Sequence, residues 1–271
     1  MAERPILIAS DLSPRNDRAV DRAIMLGRQL SRPVCLVHVR KEGADEDDRG
    51  EIERFIRAGL PDPDADIEIL LPTGPVPQEI GMVADEWHAA LIVCAVARFN
   101  DFHDYITGTA VDRIVTRGRR PVLVVKQRPH SDYRKLMVAV DFSNHSAHAL
   151  ACAARLFPEA EMVVVHAYKV AYEGLQKGAH LRDETREMHE ASMKEFLARP
   201  ELACLKGRVR TELAYGDIGQ ALLGAAKDLA PDLVVAGTHG AGGLRRAALG
   251  SIASQMLQWM PHDMLVVPPE D

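Results

Sequence analysis

Four residues in the stretch AGTHGAGGLRRAALGS, residues 236–251, have the types and the spacing to hold an anion: Gly237, Gly240, Gly250 and Ser251. Gly237 and Gly240 present main chain without side chains. Backbone there can approach a ligand closely and adopt positive φ at no steric cost. Gly250 and Ser251 stand where a helix is predicted to begin. The first amides of a helix have no intrahelical acceptor and point outward toward an incoming phosphate. The helix dipole adds about 0.3–2 kcal/mol to that attraction, and the Ser251 hydroxyl can donate to a phosphate oxygen. Plainer readings exist for the same residues: loop flexibility for the glycines, and a helix cap for Ser251. A second loop, DFSNHS at 141–146, offers a carboxylate in Asp141 and a hydroxyl in Ser143. Neither GxxxxGKS/T nor a GxGxxG after the first strand occurs, which sets aside the P-loop and the usual dinucleotide fingerprint. The sequence also lacks a recognisable nucleophile–base arrangement.

The elements that would position these loops are written twice. PILIASDLS at 5–13 reappears as KLMVAVDFS at 135–143, and PVCLVHV at 33–39 as EMVVVHA at 161–167. Gly74–Val125 overlays Gly216–Val267 without a gap at a constant offset of 142. So long a period indicates two copies of a whole domain rather than a solenoid. The predicted organisation is a domain at 1–126, a polar linker at 127–134 and a second domain at 135–271. In the second copy, strands are expected near 136–141, 161–167, 208–214, 232–237 and 263–267, with helical periodicity in HSAHALACAARLF and IGQALLGAAKDLA between them. Continuous apolar strands such as DLVVAG call for a sheet buried on both faces, hence parallel strands with helices on either side. The fold class is therefore α/β, two tandem open five-stranded domains. Their ligands are expected beyond the carboxyl ends of the strands. The second copy also carries AYEGLQKGAHLRDETREMHEASMKEFLARP at 171–200, a polar loop and an amphipathic helix longer than its counterpart at 48–59.

Composition narrows the function classes. The 271 residues are 47% hydrophobic and 27% charged with a formal charge of −6, a balance that leaves ample material for two cores and no basic stripe for nucleic acid. No apolar run is long enough to span a membrane. MAERPILIAS enters a strand directly, without a signal peptide's cleavage region. Cys35, Cys94, Cys152 and Cys204 are scattered singly, three of them in apolar runs. The expectation is a reduced, cytoplasmic protein.

The spacing Gly-two-Gly-nine-Gly-Ser, filled by Gly237, Gly240, Gly250 and Ser251, resembles the ATP-binding signature of the universal stress proteins. VAVDFS and VVVHA resemble that family's first two strands, and the resemblance covers nearly the whole chain, twice. It implies a sheet order of 3-2-1-4-5 and an adenine nucleotide, ATP or else ADP or AMP, with Mg²⁺ as an accompanying ion. By the same resemblance, Asp141 and the backbone of Ala139 and Ala167 serve the adenosine, while Gly237, His239, Gly240, Gly250, Ser251 and Ile252 surround the phosphates. His239 beside a glycine turn reads equally as a surface residue. Arg245 and Arg246 either reach phosphates or are simply solvated.

The first copy departs from the pattern. Ala95 and Arg98 stand where Gly237 and Gly240 stand, and only Gly108-Thr109 survive. Where a left-handed backbone is needed, a non-glycine residue costs roughly 1–2 kcal/mol. Asp101 and Asp104 in RFNDFHDYIT would repel a polyphosphate. Asp11 and Ser13 persist, but Asp-x-Ser after a strand is common turn chemistry. The first copy is thus expected to bind ATP poorly. His38 and His166 recur at equivalent strand ends and read as supports for local backbone; His145 and His148 read as surface residues rather than metal ligands.

PVLVVK and DMLVVP would each be the unpaired edge of a sheet, a liability that pairing the two removes. The family's dimers use this strand, which implies an intramolecular pseudo-dimer and leaves room for homodimerisation. Three functions stay open. The first is a regulatory nucleotide-binding stress protein. The second is a non-catalytic scaffold taking a protein or apolar ligand through 168–200. The third is a weak ATPase or autophosphorylating protein modified at Ser251.

Overall fold

The computed structural model describes residues 4–14, 16–43, 45–63, 65–95, 113–115, 119–169, 178–205, 207–238 and 249–270. They form two compact units, Met1–Asp132 with Asp263–Pro268, and Tyr133–His262 with Pro269–Asp271.

In the first unit, β1 (Ile6–Ala9), β2 (Val34–Val37), β3 (Ile67–Leu70), β4 (Leu91–Ala95) and β5 (Val122–Val125) are ordered β3-β2-β1-β4-β5 and run parallel. Helices α1 (Asp17–Leu30), α2 (Arg49–Gly59) and α3 (Val76–Glu86) make the connections. All four residues of β1, β2 and β5 are buried, the signature of a sheet covered on both faces. The chain's last strand, β10 (Asp263–Val267), belongs to this unit by its contacts. It pairs antiparallel with β5, Met264 against Val124 and Leu265 against Leu123. The two strands read as apolar edges therefore cover one another. Asp263 anchors the join. Its carboxylate accepts the Lys126 and Gln127 amides at 2.7 and 2.8 Å and lies 3.6 Å from Arg22 Nε, both side chains being almost wholly buried.

The second unit carries β6 (Lys135–Ala139), β7 (Glu161–Tyr168), β8 (Val209–Tyr215) and β9 (Leu233–Gly237) in the order β9-β6-β7-β8, again parallel. Its helices are α4 (Asn144–Leu156), α5 (Gly178–Leu197), α6 (Ile218–Leu229) and α7 (Ser251–Trp259). The order means that β6 has β7 on one side and β9 on the other. The carboxyl ends of β6, β7 and β9 border a crevice, where ligands of open parallel sheets bind.

Both copies turn the chain in the same way after the first strand. Leu12 and Phe142 hold left-handed φ values of 58° and 63°, unusual for residues with a Cβ. Each follows an aspartate whose Oδ1 accepts the amide two residues on, Ser13 at 2.9 Å and Ser143 at 3.1 Å. This is the Asx turn that the Asp-x-Ser spacing predicts. In the second copy Ser143 then caps α4, its side chain accepting the Ser146 amide at 3.1 Å. Gly74 and Gly216, at equivalent places before α3 and α6, hold φ of 150° and 136°, where a side chain would be strained.

Candidate functional site

The crevice in the second unit is a cavity of about 510 Å³. Its floor is the carboxyl ends of β6, β7 and β9: Ala139, Val140 and Asp141; His166 and Ala167; Ala236, Gly237 and Thr238. One wall is the first turns of α7, and the other includes Ile218 and Leu222 of α6. Of the nine residues selected from sequence, Ala139, Asp141, Ala167, Gly237, Gly250, Ser251 and Ile252 line this one space. His239 and Gly240 lie outside the described residues, as do Arg245 and Arg246, and in the first copy Arg98, Asp101, Asp104, Gly108 and Thr109.

The start of α7 differs in detail from the sequence expectation. Gly250, not Ser251, is the N-cap, with φ −57° and ψ 146° and no side-chain cap bond. Ser251 is the first residue of the helix, and its hydroxyl does not serve as the cap. Gly237 closes β9 in strand conformation. At these two positions glycine contributes the absence of a side chain rather than a left-handed backbone. The Gly250 amide donates to the Thr238 carbonyl at 2.7 Å, and the Gly250 carbonyl accepts from Ser254 at 2.9 Å. These bonds pin the helix start to the end of β9, and the first turn of α7, Ser251 to Ala253, lines the cavity. Gly250 offers no side chain to cap α7, and the helix start, where the positive end of the dipole lies, lines the cavity.

The lining also includes the apolar side chains of Val140, Ala167, Leu222 and Met256. Two titratable groups lie there among the described residues, Asp141 and His166. His166 is mostly buried. Its Nδ1 contacts the Val140 carbonyl at 2.9 Å, as His38 Nδ1 contacts the Ser10 carbonyl at 3.0 Å in the first copy. The reading of these histidines as backbone supports is what the structure shows. His166 has a further partner, however: its Nε2 lies 3.1 Å from Nδ1 of His189 on α5. The Phe142 ring stacks on His166 with centroids 4.1 Å apart. Burial holds His166 below the ordinary histidine range, against the opposing pull of the Val140 carbonyl and Asp141. Burial also lowers His189, and the His166 ring lowers it further.

Sequence reasoning missed Val140, Ser146, Ile218, Leu222, Ala236, Thr238, Ala253 and Met256 of the lining. Most are apolar residues whose type says only that they are buried. Of the pair read as surface residues, His148 is half-buried beside Glu270, Nδ1 to Oε2 3.4 Å. Cys35, Cys94 and Cys152 are buried free thiols, and Cys204 is exposed. No helix among the described residues is long and apolar enough to cross a membrane.

With this geometry in hand, known proteins place the chain. The profile of the universal stress protein family matches it twice, over residues 3–126 and 132–268. A universal stress protein of Bacillus subtilis, YxiE, is 30% identical over 146 residues, which is 50% of this chain and 99% of that protein. Among solved structures, a functionally unknown protein of Pseudomonas aeruginosa matches with a TM-score of 0.68 at 18% identity, covering 99% of this chain and 93% of its own. A universal stress protein of Archaeoglobus fulgidus matches with a TM-score of 0.63 at 18% identity, covering 100% and 98%. A strand order of β3-β2-β1-β4-β5, a crevice beside β6 and two successive profile matches lead to one conclusion: the chain belongs to the universal stress protein family and carries that family's domain in tandem.

Proposed function

We propose that the second unit binds an adenine nucleotide, ATP in the first instance, and that occupancy rather than turnover is the protein's output in a cytoplasmic stress response. The observation that carries this is the cavity itself. It has the volume of a small-molecule site, apolar side chains in its lining and a helix start, N-capped by glycine, among its walls. The base and ribose fit against Ala139, Val140 and Ala167 with Asp141 at hand, and the phosphates against the amides of Ser251 and Ile252, beside Gly250, whose own amide is held by Thr238. The sequence adds His239 and Gly240 to the phosphate loop. Mg²⁺, ADP and AMP belong to the same proposal as accompanying ion and alternative ligands, and homodimerisation as a separate property to be read by sedimentation.

Binding is favoured over catalysis by how the two titratable groups are engaged. Asp141 Oδ1 already accepts the Ser143 amide, and both ring nitrogens of His166 have partners. Neither is placed as a ready general base. The scaffold reading relied on the apolar stripe of the insertion helix. On α5, Met193 and Phe196 are buried within the unit and serve its core, while Met188 is exposed.

Isothermal titration of the full chain with ATP, ADP and AMP tests the proposal. Saturable one-to-one binding, lost in Gly240→Arg, is expected. Equal affinity in that variant removes the phosphate role of the glycine loop, and no binding of any adenine nucleotide removes the proposal.

A further inference from the structure

The histidine pair under the cavity fixes the direction of its own hydrogen bonds. A carbonyl oxygen only accepts, so the proton between His166 and Val140 sits on His166 Nδ1. A neutral His166 then offers a lone pair at Nε2, and the 3.1 Å contact requires His189 Nδ1 to be the donor. The chain of donation runs from α5 through His166 to the backbone of Val140, and Val140 and His166 both line the cavity. Its surroundings are closed by aromatic rings. Phe142 stacks on His166, Tyr168 lies 4.7 Å from His189, and Tyr168 in turn meets Tyr215 edge-on.

Resting on the nucleotide-site reading, we infer that His189 is a positioning residue: it donates to His166, locks that ring in its neutral Nδ1–H form, and so keeps the β7 side of the cavity uncharged as the pH falls. Adding a proton to His189 at Nε2 leaves the bond intact, because Nδ1 still donates. Adding one to His166 sets two N–H groups against each other and breaks it. The ionisable neighbours on the packed elements are otherwise committed. Asp141 from the β6 turn favours the charged form of His166 and is outweighed by burial. Arg199 donates to the Phe142 carbonyl at 2.7 Å and to Asn144 Oδ1 at 3.1 Å. On α5, Arg186 pairs with Glu190 at 3.0 Å, and Arg182 lies over the Tyr215 ring. Among the described residues, Tyr168 and Tyr215 also face the pair. The lock is particular to the second copy, since His189 comes from the long helix.

The test uses the full chain, His189→Phe to keep an aromatic ring without a donor, and His189→Asn to restore a donor. Nitrogen-15 spectra of the histidine rings are expected to show His166 as the Nδ1–H tautomer in the natural protein. In His189→Phe its titration should move up by about one pH unit, the scale of a lost hydrogen bond to the neutral form, and His189→Asn should bring it part of the way back. Adenosine, which does not titrate between pH 5.5 and 7.5, is the binding probe. Its affinity should change by less than about threefold over that range in the natural protein and fall several-fold in acid in His189→Phe, because the ligand would cover a charged ring. An Nε2–H tautomer at His166, or a titration unmoved by either substitution, overturns the lock. Absence of adenosine binding at every pH overturns the nucleotide reading instead, and the ring spectra still decide the lock.

Discussion

The two copies of the domain share their turns and differ at the end of the fourth strand and in the helix that follows the second. Both place a left-handed residue after an Asx turn, Leu12 and Phe142, and both tie a strand-end histidine to the first strand through Nδ1. Both use a positive-φ glycine before the third crossover helix, Gly74 and Gly216. These common features make the fold. The second copy alone ends its fourth strand in Gly237 where the first has Ala95, and alone carries the twenty-residue α5 where α2 has eleven residues. Features present twice are best read as architecture, and features present once mark where the copies have diverged in function.

The largest effect is expected at the start of the last strand, where Asp263 stands opposite Pro121 in the aligned first copy. Asp263→Ala strips the counter-charge from buried Arg22 and the acceptor from two amides. Losing one partner of such a pair costs about 3–5 kcal/mol. The urea midpoint should fall accordingly, and an unchanged midpoint would show that the pair contributes nothing to the join. Next comes Gly240→Arg, which gives the second copy the residue of the first. A loss of nucleotide affinity of at least tenfold is expected by calorimetry, about 1.4 kcal/mol.

Ser143→Ala and Ser13→Ala compare the shared turn. Ser143 caps α4 through its side chain, whereas α1 begins at Asn16 with no side-chain cap bond. Thermal unfolding should show a loss of about 1 kcal/mol for the first and under about 0.5 kcal/mol for the second. The smallest difference concerns acid. His166 and His189 both have folded values below their unfolded 6.5. The unfolded chain therefore binds more protons as the pH drops below 6.5, and their contribution to stability, complete above that value, is lost on acidification. His189→Phe removes one of these groups and relaxes the other. Its stability should decline less between pH 7 and 5 than that of the natural protein, and an identical slope would detach the pair from folding.

Much of this was readable in the sequence, for reasons that are physical. Strands buried on both faces show as unbroken apolar runs, so β6, β7, β9 and β10 fall within one or two residues of expectation. The offset repeat carries the strand order from one copy to the other, and two apolar edges imply the β5–β10 pairing. Most of the polar side of the cavity could be located because glycine and aspartate have few reasons to recur at such spacing. The apolar side could not: Leu222 and Met256 look like any core residue until the helices are placed. His189 was illegible for a different reason. It lies on a helix longer than its counterpart in the first copy, and its partner His166 is brought to it by the docking of α5 rather than by any local pattern. Asp263 likewise reads as a polar residue opening a strand, and its burial beside Arg22 is a tertiary fact.

A crystal structure of the full chain grown with ATP tests the central claim most directly. The account predicts a nucleotide in the crevice beside β6, its base against Val140 and Ala167 and its phosphates at the amides of Ser251 and Ile252. A nucleotide lodged in the first copy, or a crevice beside β6 filled by the protein's own side chains, would contradict it.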